Sequence, residues 1–239
     1  MRDKVLAVLR LFGLLLVMMA LPVLLGLFGY ANAALGWRTA GGAAWYAAQG
    51  AEALLFGAAG GAVLYWFARL YRRGANGYFR PPGDKISGKK LLLSAGYLLL
   101  LLAVGPLYEA LMRALGADGG VDDLQNQQIL LHMVRQLPLP MVLHIVLLAP
   151  LLEELLLRGI FFQNFGAPDR PGKRLALLAA SAFVFGSLHN PPTEPAFLLY
   201  SAMGLVLGGA YLHTKDLKYP VLIHMVNNTI SLVSSFWPE

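Results

Sequence analysis

The stretch APLLEELLLRGIFF, residues 149–162, places Glu153, Glu154 and Arg158 inside an otherwise unbroken apolar run. An arginine or acidic residue at the centre of a membrane helix costs roughly 2.5–3.5 kcal/mol on insertion scales. Such groups persist where they turn inward, toward a cavity or toward each other. The stretch therefore reads as a membrane helix with one polar inner face.

Working outward, seven segments approach the length of about 20 apolar residues that a spanning helix needs. They are residues 7–29, 44–69, 90–114, 139–163, 174–190, 196–213 and 219–237. The 239-residue chain is 57% hydrophobic and only 13% charged, whereas soluble domains are about a quarter charged. The runs are too long and too continuously apolar for barrel strands. The expectation is an all-α fold: one polytopic transmembrane helix bundle over 1–239, with about seven spans and room for an eighth, re-entrant helix. The apolar run 11–28 exceeds the 7–15 residues usual for a signal-peptide core, so it is expected to stay as the first span. The chain has no cysteine, which excludes thiolate catalysis, cysteine-bound metal and disulfides.

The net charge of +6 would suggest nucleic acid in a soluble protein. Here the charges sit between apolar runs, so they report topology and no nucleic-acid partner is expected. Arg69, Arg72, Arg73, Arg80, Lys85, Lys89 and Lys90 face one acid, Asp84. The next loop holds Asp118, Asp122 and Asp123, and later loops hold Arg170, Lys173 and Arg174, then Glu194, then Lys215 and Lys218. Basic loops alternate with acidic ones, which predicts a cytoplasmic N-terminus. Tyr30, Trp37, Trp45, Tyr71, Tyr219 and Trp237 fall near span ends, as interfacial aromatics do. Residues 122–137 space Leu124, Leu130, Leu131, Val134 and Leu137 as a short amphipathic surface helix, ended by Pro138 and Pro140. Gly57/Gly61 and Gly204/Gly208 read as steps for close helix packing.

Three i,i+4 pairs carry the candidate chemistry. Glu154 and Arg158 have the favourable order for an ion pair, acid first. Glu153 points about 100° away, so the two glutamates are not expected to share a partner. A carboxyl in an apolar pocket suits a general base; the bland reading is an ion-pair cluster pinning helices. Phe185 lies one turn before His189 and is expected to wall a pocket beside it; a lone histidine there also reads as a packed group. His224 and Asn228 share a face and offer two donors able to hold an oxyanion, or to tie helices together. Combined, the set holds the parts needed to add water to an amide.

In this order, Glu-Glu-x-x-x-Arg, Phe-x-x-x-His and His-x-x-x-Asn resemble the motifs of the CAAX-processing endopeptidase and bacteriocin-immunity family of intramembrane proteases. The flanks 151–159 and 219–224 resemble it too, and the likeness covers about 145–235. The resemblance implies an intramembrane glutamate-type endopeptidase with no cofactor. Glu153 matches the catalytic glutamate, acting with His189 to activate water; His224 and Asn228 match the oxyanion pair; Glu154 and Arg158 match supporting positions. It also implies a peptide or protein substrate, lipidated in some members, and a multi-pass protein among membrane lipid in a prokaryotic inner membrane.

Two alternatives stand beside this one. Glu153, His189 and His224 are able to form a zinc site with water in fourth place, although the usual tight His-x-x-x-His pair is missing. The bundle is also able to act as a non-catalytic peptide-binding or immunity protein. Depth along the chain raises a further point: His224 lies about 9 Å from Lys218 but His189 about 22 Å from Arg174, at 1.5 Å per residue. The expectation is that the helices carrying residues 153 and 189 protrude on the cytoplasmic side. Arg158 would then sit near the interface and the site in the cytoplasmic half.

Overall fold

The computed structural model describes residues 2–34, 42–74, 85–117, 125–165 and 169–236. Trp37, Arg80, Asp84, Asp118, Asp122, Asp123, Leu124 and Trp237 lie outside them. The chain is an all-helical bundle: α1 (Arg2–Ala34), α2 (Ala43–Arg73), α3 (Gly88–Ala114), α4 (Gln125–Gln136), α5 (138–164), α6 (Pro171–His189), α7 (Ala196–Thr214) and α8 (Lys218–Ser234). Each of the seven apolar segments falls mainly on a helix of its own, the fifth and seventh running past the ends of α6 and α8, and α4 is the short surface helix. By length and composition alone, α1, α2, α3 and α7 suffice to cross a membrane.

α5 is one continuous rod with two π-helical stretches, His144–Leu148 and Leu155–Ile160. Pro138 starts it, where its missing N–H costs nothing. A π turn widens the helix and leaves a carbonyl without its usual partner. Neighbouring helices satisfy both stretches: the Ser181 hydroxyl donates to the Leu157 carbonyl (2.9 Å) and the Asn228 amide donates to the Ile145 carbonyl (3.0 Å).

One end of the bundle gathers the last turns of α2 and α7 and the first turns of α3 and α8. There the Tyr71 and Tyr211 hydroxyls meet at 3.4 Å, the Ser87 N–H donates to the Tyr219 hydroxyl, and the Lys90 ammonium lies over the Tyr219 ring. α4 lies across the other end. Its Asn126 amide donates to the Tyr200 hydroxyl (3.2 Å) and its Gln127 amide to the Ser235 hydroxyl (3.0 Å). Tyr71 and Tyr219 are thus buried; they stitch helix ends together where the sequence suggested membrane-interface anchors.

The glycine steps divide. A Cβ on Gly204 would meet Ala182 and Phe185 at 3.0–3.1 Å, and one on Gly208 would strike Leu178. α6 and α7 pack this closely because those positions lack side chains. Gly57 and Gly61 meet nothing within 4 Å, so the packing expected of them is absent; on that helix Gly60 makes the contact, against Leu148.

Candidate active site

The centre of the site is a buried ion pair with a third member. Glu154 and Arg158 are both fully buried, and one carboxylate oxygen of Glu154 accepts from Arg158 Nη1 at 3.0 Å. The same oxygen accepts from His224 Nδ1 at 2.9 Å. Arg158 also donates from Nη2 to the Gly204 carbonyl (3.0 Å) and lies 4.8 Å from the centre of the Phe185 ring. The charge is therefore held inside the bundle, against the middle of α7. Its partners are interior groups of the bundle, as compensation of a desolvated guanidinium requires.

Glu153 is different. Its side chain is 15% exposed, no hydrogen bond holds it among the described residues, and its Oε2 lies 3.9 Å from His224 Nε2. The two glutamates do point apart, yet both face His224, one from each ring nitrogen. The expectation of no shared partner fails because an imidazole presents two nitrogens on different edges. With Glu154 accepting, Nδ1 is the protonated nitrogen and Nε2 faces Glu153.

His189 donates from Nδ1 to the Phe185 carbonyl at 2.8 Å, since a carbonyl only accepts. Its ring lies between Phe185 (centroids 4.5 Å apart, planes at 31°) and Tyr200 (4.6 Å, 17°). Phe185 also meets the His224 ring at 5.8 Å, so it is a common wall between the two imidazoles. Glu153, His224 and Arg158 all lie within electrostatic reach of His189. Asn228 gives one amide N–H to Ile145 and accepts from Asn227 at 3.4 Å.

The contacts also bring groups of unequal chain depth to one level. Phe185 lies about 21 Å along α6 from Pro171, and His224 about 9 Å along α8 from Lys218, at 1.5 Å per residue. Their rings nevertheless touch, so α6 starts about 12 Å further out than α8 by the same rise. His189 lies beyond Phe185, toward the end that α4 covers.

Sequence reasoning missed several members. The Gly204 carbonyl and the Ser181 and Ile145 bonds depend on which helices adjoin, and carry no local signal. Glu52 is buried on α2, and the Gln49 amide lies 3.4 Å from both its carboxylate and the Gln136 carbonyl, joining α2 to α4. Among the described residues, no group of three His, Asp or Glu side chains has the geometry to hold a metal ion.

Residues 135–230 match the family model described as type II CAAX prenyl endopeptidase Rce1-like. The matched segment resembles that family and is less than half of the chain. It runs from the end of α4 into α8 and contains Glu153, Glu154, Arg158, Phe185, His189, His224 and Asn228. The chain is 29% identical over 114 residues to the membrane-embedded CAAX protease MroQ of Staphylococcus aureus (strain USA300), covering 46% of this chain and 44% of that protein. It is 29% identical over 114 residues to the putative membrane peptidase YdiL of Bacillus subtilis (strain 168), covering 48% of this chain and 44% of that one. The chain thus spans less than half the length of these curated relatives. No solved structure matches. The matched segment coincides with the part of the bundle where polar groups face inward; the family model is described as an endopeptidase, and the two relatives are named as a membrane-embedded protease and a putative membrane peptidase.

Proposed function

We propose that this multi-pass membrane protein is an intramembrane endopeptidase that hydrolyses a peptide bond with a glutamate-activated water and no metal. The observation that carries the reading is the contrast between the two glutamates. Glu154 is locked by Arg158 and His224, while Glu153 is unbonded and partly open beside two imidazoles. A base must have a free lone pair within reach of water; Glu154 also keeps one oxygen unbonded but is fully buried, whereas the Glu153 side chain is partly exposed.

Glu153 takes a proton from water, and the water oxygen bonds to the scissile carbonyl carbon. The carbonyl π electrons move to its oxygen, which accepts from the second amide N–H of Asn228 and from His224 Nε2 when that ring carries both protons. Collapse re-forms the carbonyl and breaks the C–N bond. His189 relays the proton from Glu153 to the leaving nitrogen, its Nε2 being the free nitrogen. Glu154, Arg158 and Phe185 hold His224 and the ring stack in place. The substrate proposed is a membrane-associated or lipidated peptide, and the proposed setting is a prokaryotic inner membrane with the N-terminus cytoplasmic.

The test uses purified protein in liposomes with a diverse peptide library that includes prenylated peptides, read by mass spectrometry. Cleavage that survives EDTA and disappears in Glu153→Gln is the expected result. Loss of cleavage on chelation, restored by zinc, would replace the glutamate reading with a zinc site at Glu153, His189 and His224. Intact biological function in Glu153→Gln would replace it with a binding or immunity role.

A further inference from the structure

His189 is the last residue of α6. The chain leaves the helix at Asn190 in an extended conformation, φ −146° and ψ 147°. A helix-terminal side chain has no following turn to pack against, and helix ends fray. A proton carrier, however, must be held within hydrogen-bond reach of the atoms it serves. Something outside α6 must restrain this ring.

Two restraints come from α6 itself, the Phe185 carbonyl on Nδ1 and the Phe185 ring on one face. Neither closes the opposite face. That face is covered by Tyr200 of α7, whose ring is the more nearly parallel of the two, at 17°. Tyr200 is buried, 8% exposed, and its hydroxyl accepts from Asn126 of α4. The order of contacts is Asn126, Tyr200, His189, Phe185, drawn from three helices.

We infer that Tyr200 is a positioning residue for His189, itself anchored by Asn126. It confines the imidazole to one plane, so that Nδ1 keeps its bond to the Phe185 carbonyl and Nε2 stays turned to the side of Glu153. Its π face also meets the charge that appears on the imidazole when it takes a proton. The catalytic meaning of this role rests on the proposed hydrolysis; the restraint on the ring does not, and the two are read separately.

The experiment compares wild type, Tyr200→Leu, Tyr200→Phe and Asn126→Ala, each as the full chain in lipid. Ring order is read from ¹⁵N-histidine spectra, with His189 assigned by its loss in His189→Gln. Wild type should show a single Nδ1–H tautomer, and Tyr200→Phe, which keeps the ring but loses the Asn126 bond, the same tautomer with no more loss of order than Asn126→Ala. Tyr200→Leu should show averaged tautomers, and Asn126→Ala a partial loss of order. Peptide cleavage is the second readout. Tyr200→Leu should lower kcat about 100-fold, the scale on which misplacement of a catalytic group acts, with KM within about twofold, and Tyr200→Phe should restore kcat to within about threefold. An unchanged His189 spectrum in Tyr200→Leu overturns the inference, whether or not any peptide is cut. Disordered tautomers with an unaltered kcat would confine Tyr200 to packing and overturn its catalytic meaning. Absence of cleavage in wild type beside the expected spectra would count against the protease reading alone.

Discussion

In α1, α2 and α3 the most apolar windows are 24%, 17% and 17% buried within the protein, against 50% in α7. The first three helices leave most of these windows outside the protein interior. Leu54, Leu92 and Leu99 on them are 69–77% exposed, which in a bilayer is the favourable state for an apolar side chain. α7 is a central post, wedged against α6 through Gly204 and Gly208 and bonded to Arg158 through its backbone. The difference teaches where specificity resides. Lipid tails are as apolar as leucine, so a lipid-facing helix needs only to be apolar. A helix that faces other helices must match their shape and satisfy their polar groups.

That comparison is open to direct test. The largest effect is expected for Glu153→Gln, which keeps shape and removes the base. Peptide cleavage should fall at least 100-fold, the lower end of what general-base catalysis contributes, while the thermal midpoint of the solubilised protein stays close to wild type. A large drop in the midpoint would make Glu153 a structural group and blur the contrast with Glu154.

Next comes Arg158→Met, which leaves the fully buried Glu154 carboxylate without its cation and with the His224 hydrogen bond alone. A loss of about 3–5 kcal/mol of stability is expected, seen in chemical unfolding in mild detergent. The double variant Glu154→Gln with Arg158→Met removes both charges and should recover a large part of that loss. If the single and double variants were equally unstable, the pair would matter for volume and not for charge.

Smaller again is Gly204→Ala, whose new methyl would stand 3.0 Å from the Ala182 Cα. Overpacking of this kind costs about 1–3 kcal/mol. Gly61→Ala on α2 meets no atom within 4 Å, and should be neutral or stabilising by up to about 1 kcal/mol through helix propensity. Equal effects from the two alanines would erase the distinction between the lipid-facing half and the interior half.

Much of this was readable in residues 149–162 and their surroundings. The hydrocarbon thickness fixes the span length, so apolar runs of that length announce helices without knowledge of their neighbours. The i,i+4 rule brought Glu154 to Arg158 and Phe185 to His189, because a helix repeats its face every 3.6 residues. Pro138 and the spacing through Val134 and Leu137 marked the surface helix and the start of α5 for the same local reason.

Other features had no local signature. Nothing in the glycine spacing distinguishes Gly57 and Gly61, which meet no neighbouring helix, from Gly204 and Gly208, which face α6. Tyr71 and Tyr219 lie at helix ends as their spacing suggested, and only the fold shows that they are buried there between helices. That both glutamates address His224, that Asn228 serves a carbonyl freed by a π turn, and that Tyr200 closes over His189 all follow from which helices adjoin and at what height. The sequence by itself determined the helices, their order and the polar residue set, because those depend on hydrophobicity and a short-range period. Only the tertiary structure decided which carboxylate is bound and which is free, because that depends on the distances between α5, α6, α7 and α8, which no single helix encodes.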